Sequence, residues 1–275
     1  MKEKKIQPLR ELCLQIADST LSFVKTVCQF CSFLRWSLRC LANVLIHPQK
    51  IRWNLVTYYM DSCGSDATPI IAMLGMLIGV ILSFQAIIQL GRFGVESYVV
   101  NLVGSVIVTE LAPLVTAVVL AGRSGSAFAA ELGTMKTNEE IDALITLGLD
   151  PERFLVFPKV LALLLVLPGL TIIADVCGIF GGLLIVTSHL NISAAEYCNR
   201  VMEVVHPLDL TQGLLKSVFF GMIVAAVGCE KGIHSGRDAQ GVGRSATSAV
   251  VTAIFLIVVA DAVLTACFAG VEKWS

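Results

Sequence analysis

Long apolar runs recur through this chain, and a helix needs about 20 mostly apolar residues to cross the hydrocarbon layer of a bilayer. The first runs from Ala67 to Leu90 without a charge, and the second, Val99 to Gly122, carries one acid, Glu110. The third, Phe154 to Leu190, is too long for one upright span and is predicted either as a single tilted helix bent near Pro168 and Gly169 or as two short segments. The fourth runs from about Leu210 to Gly228 and the fifth from Thr247 to Ala269, so five spans are preferred and six are the alternative. Composition agrees: 56% of residues are hydrophobic and 15% charged, against about 25% charged in soluble domains. A soluble fold of this size has too little interior to hide so much apolar side chain, and a disordered chain needs the opposite composition. The net charge of −1 supplies no basic field for nucleic acid. The expected fold class is an all-α polytopic membrane protein.

Lys and Arg in the connecting segments orient the spans. Nine basic residues precede residue 66; Arg123, Lys136, Arg153 and Lys159 flank spans two and three, and Lys231, Arg237 and Arg244 flank spans four and five. That places sixteen on one side, while Arg92, Arg200 and Lys273 make three on the other, with Lys216 inside span four. The amino terminus is therefore expected in the cytoplasm and the carboxyl terminus outside. Two segments are expected: 1–65, cytoplasmic or interfacial, and 66–275, a transmembrane domain. Within the first, Phe23, Val27, Phe30, Leu34, Leu38, Leu41 and Leu45 recur at helical spacing, with Lys25, Arg35 and Arg39 on other faces and Pro48 closing the pattern. Such a stripe suits a helix lying in the lipid interface, or one packed on a partner. Asp18, Lys25, Arg35 and Arg39 interrupt it too often for a signal peptide. The nine cysteines are scattered, and Cys28-x-x-Cys31 lacks a second pair or a nearby His, so neither a disulfide framework nor a metal site is expected. His47, His189, His206 and His234 are equally dispersed, and no metal site is read from them.

The segment between spans two and three opens with small residues, Ala121, Gly122, Ser124, Gly125, Ser126, Ala127, Ala129 and Ala130, which allow close helix packing. Thr137 and Glu140 have capping-box spacing, Ile141, Leu144 and Ile145 form an apolar ridge, and Gly148 with Pro151 supplies a stop. A short amphipathic helix on the cytoplasmic face is predicted, either an ordinary loop helix or a docking element for a cytoplasmic subunit.

A charge at mid-bilayer costs at least about 2.5–3.5 kcal/mol, so each one needs a reason. Glu110, Asp175, Lys216 and Asp261 stand inside the apolar runs. Lys216 is expected to pair with Glu110 or Asp261, either lining a polar cavity or holding spans together; Asp175 would face a cavity or cap a break near Gly178. Gly178, Gly181 and Gly182 suit close packing, and Gly241-x-Gly243-Arg244 reads as a flexible turn, not a dinucleotide fingerprint. No G-x-x-x-x-G-K-[ST] loop is present, so nucleotide use in the P-loop manner would fall to another chain.

The string TELAPLVTAVVLAGRSGSAFAAELGTMKTNEEIDALITLGLDPERFLVFPKVLA, Thr109 to Ala162, strongly resembles the MlaE/YrbE permease family, the membrane subunits of Mce-type lipid ABC transporters. A second string, Gly236 to Phe268, is similar to that family's closing segment. The resemblance implies an amino-terminal interfacial helix, five membrane helices, and a homodimer with a lipid cavity between protomers in the cell inner membrane. It places a coupling helix on Glu131 to Gly148, including Gly133, Lys136, Thr137, Glu139, Glu140, Ile141, Asp142 and Leu144, seated in a groove of a cytoplasmic ABC ATPase. It implies an MCE-domain partner facing outward, often a small STAS-domain subunit, and a non-catalytic permease that moves phospholipid or a related lipid. ATP and Mg would be bound by the partner ATPase and no cofactor by this chain. In a Gram-negative cell such a system maintains outer-membrane lipid asymmetry. The family's charged positions look similar to Glu110, Lys216 and Asp261. A competing expectation, from the buried acids alone, is an ion-coupled secondary transporter using Glu110 and Asp261, although no inverted repeat is visible.

Overall fold

The computed structural model describes residues 52–190 and 192–272. The stripe from Phe23 to Leu45 and the Cys28/Cys31 pair lie outside the described residues. Eight helices follow in order: α1 (Trp53–Gly64), α2 (Thr68–Gly91), α3 (Glu96–Thr137), α4 (Glu140–Thr146), α5 (Phe154–His189), α6 (Ala194–Val204), α7 (Pro207–Ile233) and α8 (Ala239–Glu272). No strand occurs among the described residues. Five of the helices, α2, α3, α5, α7 and α8, are long and apolar enough to cross a membrane.

The third apolar block is one helix, with Pro168 inside it. Because it runs on through Gly178, Asp175 has no helix break to cap. Span two extends past Gly122 to Thr137, and span five begins at Ala239, so Gly241, Gly243 and Arg244 are helical rather than a turn. Val242 N–H already bonds the Asp238 carbonyl at 3.2 Å.

Helix α3 opens with a tighter 3-10 turn, Glu96–Tyr98, and carries two wider π-helical turns, Ile107–Leu111 and Ala121–Gly125. The first of the wider turns lies just before Pro113, which has no N–H for the Thr109 carbonyl and whose ring crowds it; an extra residue in the turn relieves both. Glu110 sits in that turn.

Packing is set by glycine. A Cβ at Gly79 of α2 would land on the Gly178 carbonyl oxygen of α5, and one at Gly181 on the Met76 carbonyl oxygen, so α2 and α5 cross with their backbones in contact. Small residues at such crossings are how membrane helices gain dispersion contacts where lipid competes equally for apolar side chains. Helix α7 uses the same device against α3: a Cβ at Gly228 would come within 2.6 Å of the Gly125 oxygen, and one at Gly232 within 2.9 Å of the Ala129 oxygen. Residues 221–229 of α7 are buried all round, which makes α7 the central rod. Met73, Leu77, Ile81 and Phe84 on α2 and Val251, Phe255 and Val258 on α8 remain exposed, as a lipid-facing surface requires.

Candidate functional site

Two polar assemblies stand out in this apolar frame. The first lies in the membrane layer. At 1.5 Å per residue, Glu110, Lys216 and Asp261 stand roughly 14 to 21 Å along their helices from Glu96, Pro207 and Glu272, ends that alternation of the spans puts on one side. The structure brings the three together. Lys216 Nζ, 1% exposed, lies 2.5 Å from Glu110 Oε2 and 3.2 Å from Asp261 Oδ1. It also donates to Thr265 Oγ1 at 2.8 Å, and that hydroxyl donates to Glu110 Oε1 at 3.1 Å. Thr265 was not singled out from the sequence, although it stands four residues after Asp261 and so on the same helix face. The cation is dry while the two acidic side chains are partly exposed, 33% and 21%, although the Asp261 Oδ1 that faces Lys216 is itself buried. Asp175 stands apart: it is 5% exposed, and its Oδ1 has no hydrogen-bond partner among the described residues.

The second assembly surrounds the end of α3. Glu131, Gly133, Lys136 and Thr137 belong to this helix rather than to a separate one. The capping box is absent: the Thr137 hydroxyl donates back to the Gly133 carbonyl at 3.0 Å, and Glu139 stands before α4 without a side-chain cap. Thr137 is still helical, so its N–H and hydroxyl serve the preceding turn. The chain reverses instead through Glu139, at φ 61° the one non-glycine residue with positive φ among the described residues. An L-residue there costs about 1–2 kcal/mol, and such strain gathers at functional and switch sites. Glu140 accepts from Asn138 Nδ2 at 3.2 Å. Gly148, at φ 74°, closes α4: its N–H bonds the Ile145 carbonyl and the Leu149 N–H bonds the Leu144 carbonyl, both at 3.0 Å.

From α3 and α4, side chains reach every neighbouring element at this end. Lys136 Nζ donates to the Ile233 carbonyl at the end of α7 at 2.7 Å. Asp142 pairs with Arg237 at 3.1 Å. A Cβ at Gly133 would touch Ser235 and Val242. Ile141 is buried and Leu144 half-buried, whereas Ile145, Leu147 and Leu149 are exposed at 56%, 74% and 42%. Glu131 Oε2 pairs with Lys159 Nζ of α5 at 3.0 Å, and Glu131 Oε1 accepts from the Tyr59 hydroxyl of α1 at 2.7 Å. Burial, with Glu131 as acceptor, holds the Tyr59 phenol well above its ordinary pKa, so it stays a donor. Cys63 beneath it is buried and its thiol pushed up, consistent with a small apolar side chain. Lys159 was noted in the sequence only as a loop charge; its place within FLVFPKVLALLL was the missed signal.

A five-span helical bundle with a lysine–carboxylate cluster in its membrane layer and a strained, apolar-tipped turn at one end fits an integral membrane transport subunit. Residues 56–267 match the family described as permease MlaE, and the chain belongs to that family. It is 33% identical over 253 residues to a probable ABC transporter permease protein of Rickettsia conorii, covering 92% of this chain and 96% of the relative. A probable ABC transporter permease protein of Synechocystis is 37% identical over 202 residues, 74% and 77% of the two chains. The chloroplastic protein trigalactosyldiacylglycerol 1 of Arabidopsis thaliana is 33% identical over 219 residues, 80% of this chain and 63% of the relative.

Proposed function

We propose that this permease moves phospholipid or a related lipid between the inner membrane and an MCE-domain protein, as a homodimer driven by a separate ABC ATPase. A STAS-domain subunit completes the assembly in this reading. The name of the Arabidopsis relative is that of a glycolipid, which supports a lipid cargo. The observation that carries the reading is the Lys216 cluster: partly exposed acidic side chains in an apolar layer would offer a headgroup polar partners, while the Leu, Val and Ile walls suit acyl chains. The same cluster bears on a cation-coupled carrier, because Lys216 already occupies the space between the two acids that would hold the ion.

Force would enter through 131–148. The exposed Ile145, Leu147 and Leu149 provide an apolar tip for an ATPase groove, and the bonds from Glu131, Lys136 and Asp142 carry its displacement into α5, α7 and the 234–238 loop. The amino terminus is cytoplasmic in this reading and the carboxyl terminus periplasmic, as the distribution of Lys and Arg favours. No bound cofactor and no covalent chemistry are required of this chain; ATP and Mg belong to the ATPase.

Reconstitution of the chain with its ATPase in vesicles holding a fluorescent phospholipid tests this. Transfer that starts on ATP addition, and that Ile145→Asp with Leu147→Asp abolishes together with ATPase co-purification, is the expected result. Transfer driven by an ion gradient without ATP would establish the carrier reading instead.

A further inference from the structure

Lys159 is fully buried, yet it lies at the end of the bundle where water is within reach of its neighbours. Its ammonium has Glu131 Oε2 at 3.0 Å and sits over two aromatic faces, 5.1 Å from the Tyr59 ring centroid and 5.3 Å from that of Phe128. The two rings meet edge to face at 5.7 Å, and the Tyr59 hydroxyl closes the circuit on Glu131. Three elements therefore meet in one polar knot: α1 through Tyr59, α3 through Phe128 and Glu131, and α5 through Lys159. Helix α1 is tied to α3 a second time: Arg123 donates to the Ser62 carbonyl of α1 at 3.4 Å, and its other terminal nitrogen pairs with Asp66, just past that helix, at 2.6 Å. Glu131 stands eight residues before the Glu139 hinge, within the last three turns of α3. A charged knot at this place is costly unless its geometry is kept, since a lysine without its carboxylate would be stranded in an apolar pocket. It therefore has few intermediate positions: the three elements move together or the knot breaks.

We infer that Tyr59, Glu131 and Lys159 form a positioning clamp that makes α1 travel with the cytoplasmic end of α3, so that α1 is a moving part of the transmission rather than a passive anchor. This rests on the reading of 131–148 as the place where force enters. Trp53 and Tyr58, 54% and 65% exposed on α1, give that helix an aromatic surface that can slide against lipid headgroups while Tyr59 is held.

The test uses the full chain in complex with its ATPase. Lys159→Met removes the buried cation and keeps the stem; Glu131, with 42% of its side chain exposed, is left where water can reach it, so the fold is kept. Tyr59→Phe removes only the hydroxyl. Two readouts are taken: lipid transferred per ATP hydrolysed, and the nucleotide-dependent change in amide hydrogen exchange of α1. Lys159→Met is expected to lower transfer per ATP about tenfold while assembly and ATP turnover persist, and to abolish the exchange response of α1; Tyr59→Phe should lie between it and the unmodified chain. A parallel fall in ATP turnover and transfer, or an α1 exchange response unchanged in Lys159→Met, overturns the clamp. The exchange readout needs no cargo, so it judges the clamp even where vesicle transfer of phospholipid by the unmodified complex fails, a result that would count against the lipid reading alone.

Discussion

Lys216 is where a single side chain decides most. Its ammonium is dry and answers two carboxylates and a hydroxyl on two other helices, so α3, α7 and α8 are joined at one atom. Breaking a buried ion pair by removing one partner costs about 3–5 kcal/mol, because the remaining charge is left uncompensated; here the partial exposure of Glu110 and Asp261 softens that figure. A double-mutant cycle between Lys216→Met and Glu110→Gln, read by thermal unfolding in detergent, is expected to give a coupling of about 1–3 kcal/mol, with both single variants losing transport. Additive effects would mean that the contact carries no energy. The chemistry of this site was legible from charge alone, since any Lys, Glu or Asp in a 20-residue apolar run demands a partner. Which acid Lys216 takes was not, because Glu110 and Asp261 lie on different helices and their distances depend on packing; the structure gives it both.

At the scale of elements, helix crossings are controlled by the absence of side chains. Gly79→Ala would force the α2 backbone away from the Gly178 carbonyl, an overpacking expected to cost about 1–3 kcal/mol or more. Gly169→Ala, in the same bundle but with nothing near its Cβ, should be neutral or stabilise by up to about 1 kcal/mol through helix propensity. Comparing the unfolding temperatures of the two checks this, and equal effects would contradict the crossing geometry. The apolar runs located all five long helices, because length and hydropathy are local properties. Their ends were less legible. Helix α8 begins eight residues before the apolar window, since Ala239 to Ala246 leave the lipid while remaining helical. Thr137 and Glu140 had the spacing of a cap, but spacing cannot tell that α3 continues through Thr137, where Lys136 is held to the Ile233 carbonyl of α7. Gly148 was readable as a stop because its left-handed backbone is a requirement local to that residue. The Tyr59–Glu131–Lys159 knot escaped notice because its members are far apart in sequence, and nothing short of the folded bundle joins them.

For the whole molecule, the two polar assemblies lie in different layers of one bundle and share helix α3. Glu110 is in its first π-helical turn, the second such turn, Ala121–Gly125, follows, and Glu131 is near its far end. In the proposed transmission, a displacement at the Glu139 turn would have a continuous helix to the ion cluster, interrupted only where that helix is wider and packed on glycine-bearing α7. Function at this scale was legible through the long ordered string from Thr109 to Ala162 more than through any single residue, and the permease MlaE match covers the same bundle. Native mass spectrometry of the purified chain with its ATPase measures the central claim most directly. Two copies of the chain carrying bound phospholipid, which is discharged when ATP is hydrolysed and retained with a non-hydrolysable nucleotide, is the expected spectrum; a complex that holds no lipid, or whose lipid is indifferent to ATP hydrolysis, would contradict it.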